Sequence, residues 1–242
     1  MKEIYGETHA SMTYIFSCLA NGYQGLCKYQ KALEYEMRAF EVRKSNYGEE
    51  HPGTAFSYEC LASACEDLGE FQKALEHPTK GLDITKTRYG EVHFETARLY
   101  ENVASAYDEV GKYKKGLELK LKAFDIRKAL YGEIHPLVAD SYVSLAYSYE
   151  KLQENQQNLE YQLKALEIRK AGYGETHVET ACSHHNIAQV YREMEEYQQA
   201  FKYGQKALET RRNLFGERHT ETAKSYNNLG LIFDEMGEFE QE

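Results

Sequence analysis

The sequence predicts an all-α chain, a solenoid of stacked antiparallel helix hairpins. Three observations carry that expectation. A pattern aromatic-Gly-Glu-x-His recurs six times at a constant interval of 42 residues, apolar residues between recurrences follow helical steps, and only 3 prolines occur in 242 residues. Self-similarity at such a period marks a repeat architecture, and scarce proline favours long helices over a turn-rich β fold.

The pattern stands at Tyr5-Gly6-Glu7-Thr8-His9 and again from Tyr47, Tyr89, Tyr131, Tyr173 and Phe215, without insertion or deletion. The repeats are therefore 5–46, 47–88, 89–130, 131–172, 173–214 and a partial 215–242, one solenoid spanning 1–242. Positions within a repeat are numbered from 1, the aromatic, to 42. Apolar residues at positions 8, 12, 15, 19 and 22 step by four and three and trace one face of a first helix; in the fourth repeat they are Val138, Tyr142, Leu145, Tyr149 and Leu152. A short polar break follows, as at Gly69-Glu70, Gly111-Lys112 and Gly237-Glu238, where glycine suits a helix end with positive φ. A second stripe, Tyr113, Leu117, Ala123, Phe124 and Ile126 in the third repeat, marks the return helix. Gly at position 2 closes that helix, and Pro52 or Pro136 at position 6 opens the next, where a missing N–H costs nothing. Neither helix can bury its stripe alone, so hairpins must stack.

Two repeats break the pattern. Pro78 and Gly81 interrupt the second helix of repeat two, predicting a kink or local opening. Gln153-Glu154-Asn155 replaces the glycine turn of repeat four, and Asn158 fills a slot that is small elsewhere.

Charge narrows the function. With 29 basic and 39 acidic side chains the net charge is −10, which disfavours nucleic-acid or anionic-membrane surfaces. No run of apolar residues is long enough to span a bilayer, and Met1 to Ile4 carry no signal-type apolar stretch. The 5 cysteines, Cys18, Cys27, Cys60, Cys65 and Cys182, form no C-x2-C pair and read as buried reduced thiols, consistent with a cytoplasmic protein. Histidines at position 5 recur one repeat apart, roughly 10 Å in a helix stack, too far to share a metal; helix capping is the simpler role. His184 takes the aromatic core slot of position 12, and His185 faces solvent or ligand. No phosphate loop, nucleophile elbow or zinc motif is present, so neither catalysis nor a cofactor or metal is expected.

Positions 12 to 35 of the third repeat, Tyr100, Val103, Ala104, Tyr107, Gly111, Tyr113, Gly116 and Ala123, resemble the tetratricopeptide repeat. The long period, the Tyr-Gly-Glu-x-His junction and the run Ala165 to Lys170 are similar to the kinesin-light-chain and nephrocystin type. The resemblance implies a right-handed superhelix whose first helices line a concave groove, with positions 10, 13, 17, 20 and 21 facing a peptide. Acids outnumber Lys and Arg there by 11 to 4, and these positions vary while the core positions hold. Such a groove favours a basic extended or helical segment of a protein partner. The candidate contacts are Phe56, Glu59, Glu66, Asp67, Arg98, Glu101, Asp108, Glu109, Val143, Tyr147, Glu150, His185, Gln189 and Arg192.

Met1 to Ile4 read as the end of a preceding second helix and Glu242 as lying just inside a following one, so the chain reads as a piece of a longer array. Uncapped ends suggest an alternative role, a structural module that stacks end to end.

Overall fold

A computed structural model describes residues 9–239, with side chains described to 237. The expectations for Met1 to Ile4, for Tyr5 to Thr8 of the first junction and for Glu242 lie outside the described residues. Eleven helices and no strand occur among the described residues. They are α1 (Ser11–Gly25), α2 (Tyr29–Tyr47), α3 (Pro52–Asp67), α4 (Phe71–Tyr89), α5 (Phe94–Glu109), α6 (Tyr113–Tyr131), α7 (Pro136–Lys151), α8 (Asn155–Tyr173), α9 (Val178–Glu193), α10 (Tyr197–Phe215) and α11 (Thr220–Phe239). Cα packing divides the chain into two compact units, 1–126 and 127–242, with the boundary inside α6.

Within each unit consecutive helices pack in order. In the first unit α1 pairs with α2 and α3 with α4, while α2 also packs on α3 and α4 on α5. The second unit repeats this with α7 on α8, α9 on α10, and α8 and α10 each on the following first helix. A return helix is thus shared by two first helices, the α-solenoid arrangement. The stripe positions form the core, joined by Leu99 of position 11: Tyr100 and Val103 pack with Leu99, Leu75, Leu82 and Ile126 in one cluster. Leu159, Leu166, Ile187 and Val190 form another in the second unit. Each such side chain contributes about 1.5–3 kcal/mol when fully buried.

The recurring junction motif has a physical account residue by residue. The aromatic of position 1 stacks on the histidine of position 5, with ring centroids 4.4 Å apart at Tyr173–His177 and 4.8 Å at Tyr47–His51. That histidine is the N-cap: its Nδ1 accepts the backbone N–H two residues on, at 3.0 Å from Gly53 and 3.2 Å from Ser11, Glu95, Leu137, Glu179 and Glu221. The capping role therefore holds at the five later histidines of position 5, whereas His9 stands one residue before the N-cap Ala10 of its helix. The intervening glycine leaves the helix at φ 87°, ψ 167° for Gly48 and φ 87°, ψ 174° for Gly90, a region that excludes other residues. The glutamate of position 3 is held by the basic residue ending the previous helix, as Lys44 holds Glu49 at 3.0 Å and Lys170 holds Glu175 at 2.5 Å. It also accepts from the tyrosine of position 12, Tyr58 to Glu49 and Tyr226 to Glu217 at 2.9 and 2.8 Å, and Tyr100 to Glu91 likewise.

Several departures from expectation have causes in the packing. α4 runs unbroken through Pro78 and does not open locally; Pro78 and Gly81 are both buried in it. Gly81 is small because a Cβ there would lie 3.2 Å from the Ala55 carbonyl oxygen and 3.2 Å from Leu99. The hairpin turns keep a left-handed residue at position 23 whether or not glycine supplies it: Gly69 and Gly111, but also Cys27 (φ 55°), Gln153 (φ 61°) and Glu195 (φ 61°). Gly237 differs, since α11 continues through it to Phe239. Cys65 is buried, but Cys18 and Cys27 are exposed, so the buried-thiol expectation fails for those two.

Candidate functional site

Positions 10, 13, 17, 20 and 21 of adjacent first helices meet laterally within each unit. In the first unit Gln24 donates to Asp67 at 2.6 Å, one repeat away. Glu59 receives Arg98, from the next repeat, through a bidentate pair, and Asn102 at 2.7 Å. Arg98 is pushed up further by these carboxylates, with Glu95 a second partner at 2.6 Å. Glu59 and Arg98 therefore neutralise one another. Phe56 is exposed, with the Arg43 guanidinium 5.7 Å from its ring centre.

Asp108 leaves the expected face. It is buried, and Lys120 of the return helix pairs with it at 2.7 Å, both side chains being under a tenth exposed. The room comes from Gly116, where a Cβ would fall 2.2 Å from the Asp108 carboxylate. Glycine in that slot and lysine one turn later draw the acid inward, so it is not offered to a ligand.

Glu66, Asp67 and Glu109 remain as the outward acids of the first unit, with Glu101 half-buried beside them. The Glu66 carboxyl is held above its ordinary range by burial, then by the negative charges of Glu109 and Asp67. Glu66 has no ion pair among the described residues, and a cation placed there would relieve this repulsion. A cavity of about 210 Å³ opens beside it, lined by Glu59, Ser63, Glu66, Pro78, Asn102 and Ser105.

The second unit is mixed in charge. Tyr147 is exposed under Lys151, 4.9 Å from its ring centre, and Lys151 pairs with Glu150 at 3.2 Å. Arg192 reaches Glu235 one repeat on, at 2.8 Å. Gln189 is exposed and Val143 half-buried. His185 is half-buried, and burial followed by the Arg211 charge lowers it to about 4. His184 is buried in the aromatic slot, lowered by burial to about 4, and neither ring nitrogen has a partner. Among the described residues no cluster of His, Cys, Asp or Glu could hold a metal ion.

Two sets of residues on the return helices also shape this face, and sequence reasoning passed them over apart from Pro78, which it read as a helix breaker. Arginines at position 39 bond the serine at position 11 of the next first helix: Arg43 to Ser57, Arg127 to Ser141, Arg169 to Ser183 and Arg211 to Ser225, at 2.6 to 3.1 Å. At the remaining junction Thr85 and the buried Leu99 replace both partners together, an exchange that removes the charge and is visible in the sequence as paired departures. Position 32 reads Glu36, Pro78, Lys120, Gln162 and Gly204. Glu36 and Pro78 line cavities beside the first helices, and Lys120 holds Asp108. Its refusal to repeat was the available signal.

The tetratricopeptide repeat family matches residues 8–87, 95–171, 139–213 and 179–241. No curated protein sequence matches the chain. Among solved structures, one of nearly identical TPR-like repeats described as a kinesin light chain of Podosopora anserina is 22% identical, with TM-score 0.75, covering 86% of this chain and 98% of that one. BtubC (BKLC) from P. vanneervenii is 20% identical, with TM-score 0.69, over 88% of this chain and 83% of its own. A signal transduction ATPase with numerous domains from Pyrococcus horikoshii, bearing a tetratricopeptide repeat sensor, is 19% identical, with TM-score 0.72, over 92% of this chain and 33% of that one. At these identities the likeness establishes the fold.

Proposed function

From the premise that the chain belongs to the tetratricopeptide repeat family, whose members generally mediate protein–protein interactions, we propose that it is a non-enzymatic scaffold whose first-helix face takes a basic segment of a partner protein. The observation that carries this reading is the unneutralised acidic group Glu66, Asp67 and Glu109, in which Glu66 is held partly against ionisation by burial and then by its neighbours' charges. A Lys- or Arg-rich segment supplies the missing positive charge, chiefly through on-rate and register. Glu59, Phe56, Arg98 and Glu101 frame this part of the face. In the second unit Tyr147, Glu150, Val143, His185, Gln189 and Arg192 form a separate, mixed stretch that suits less basic residues. No helix among the described residues is long and apolar enough to cross a membrane.

Fluorescence anisotropy against a Lys/Arg-rich and an Asp/Glu-rich peptide pool, at low and physiological salt, tests the reading. Selective binding of the basic pool, weakened by salt and abolished in a Glu66→Lys, Asp67→Lys, Glu109→Lys variant of unchanged melting temperature, is the expected result. Equal affinity of that variant for the basic pool sinks it.

A further inference from the structure

Between the first helices of repeats one and two lies a cavity of about 130 Å³, walled by Asn21, Gln24, Glu36, Cys60 and Ser63. Glu36 comes from the return helix α2 and is 5% exposed. One of its carboxylate oxygens is buried without any hydrogen-bond partner. Such an orphan is costly, because a buried carboxylate needs donors that it does not find inside the protein. Burial holds the Glu36 carboxyl above its ordinary range, and the Arg43 charge only partly opposes this. Arg43 is itself engaged, donating to Ser57 at 2.6 Å and to Ser17 at 3.4 Å. The Gln24 amide is likewise turned to Asp67. The other walls are small or neutral, so the cavity has one anionic group and no cation.

We infer that this cavity is a specificity pocket for the side chain of a lysine in the bound segment, with Glu36 receiving its ammonium group. The inference rests on the reading of the face as a site for basic segments and names where one basic residue is read. Size fits the assignment: the cavity holds the share of about four water molecules at ~30 Å³ each, the room of an ammonium and its last methylenes. A lone carboxylate provides too few oxygens for a divalent cation, which takes six or more ligands. The ammonium brings three donors, and Glu36, Asn21 and Ser63 offer oxygens to meet them. The cavity beside Glu66 follows between the next pair of first helices, sharing Ser63 as a wall. Packed helices lie roughly 10 Å apart, the span of three extended residues, so lysines three apart in an extended segment are in register with the repeat.

The test uses a labelled peptide of repeated Gly-Ser-Lys, its acetyl-lysine counterpart, the wild-type chain and Glu36→Gln. The substitution keeps the shape and removes a buried charge, so the melting temperature should hold or rise. Glu36→Gln is expected to bind the lysine peptide about tenfold more weakly, the loss of one charge-assisted hydrogen bond, and the acetylated peptide no differently. Equal affinity of both proteins for the lysine peptide overturns the pocket while leaving the wider acidic face intact. If the wild type itself ignores the peptide, the wider reading falls, and the pocket is judged at Cys60 instead. Burial pushes that thiol up to about 12, so its labelling by an ammonium-bearing methanethiosulfonate is taken as a ratio to labelling by the neutral methyl reagent, read by peptide mass spectrometry. A ratio higher in wild type than in Glu36→Gln supports the pocket, and equal ratios overturn it.

Discussion

His184→Tyr should stabilise the protein, and more at pH 5 than at pH 7. In repeats two, three and six the residue at this position is a tyrosine whose hydroxyl donates to the position-3 glutamate, as Tyr58 does to Glu49. In repeat five the imidazole is 2% exposed, both of its nitrogens lack partners, and Glu175 of the same junction is held by Lys170. Restoring the tyrosine removes the unsatisfied ring and adds a hydrogen bond to a charged acceptor, together worth roughly 2 kcal/mol at pH 7. Protonation adds the second part. Burial lowers the folded His184 to about 4, against ~6.5 in an unfolded chain. Between those values the unfolded chain binds a proton that the folded chain refuses, so stability falls as pH drops from neutrality towards 4 and then levels. At pH 5 the linkage term is about 2 kcal/mol for this one histidine. Thermal melts of both proteins at pH 7 and pH 5 check it, with ~2–4 °C expected per kcal/mol at this chain length. His185 and His77, also lowered by burial, remain in both proteins, so the difference isolates His184. Identical pH dependence in the two proteins refutes the linkage, and a less stable tyrosine variant at pH 7 refutes the hydrogen-bond argument.

Two further outcomes are expected. Glu195 holds the left-handed turn position at φ 61°, so Glu195→Gly should raise stability by about 1 kcal/mol, read in urea unfolding; a loss would show that the glutamate side chain contributes more than its backbone strain costs. Lys120→Met strands the buried Asp108 carboxylate and should cost about 3–5 kcal/mol, whereas Lys120→Met combined with Asp108→Ala should recover most of that. Equal losses in the single and double variants would mean the pair is not the energetic unit.

What was legible in the sequence was whatever the period enforces. A spacing of 42 residues with apolar steps of three and four dictates helix hairpins, since only stacked neighbours bury both stripes. The junction residues were legible too, because an N-cap histidine and a glycine at positive φ are local requirements of one helix end and one turn. For Pro78, where a kink or a local opening was expected, the opening fails: α4 continues through it, packed against α3 and α5.

The candidate face was legible as a set of positions and not as a set of available charges. Asp108 and Glu66 share position 20, yet Asp108 folds into the space beside Gly116 to meet Lys120 while Glu66 stays outward among like charges. Glu59 looked free until Arg98 was placed against it from the next repeat. Glu36, which sequence reasoning did not single out, is buried without a full set of partners. By itself the sequence determined the backbone, because backbone preferences repeat with the period. Tertiary structure alone decided which charges remain unpaired, because a side chain's partner lies one repeat or one helix away and changes with every substitution there.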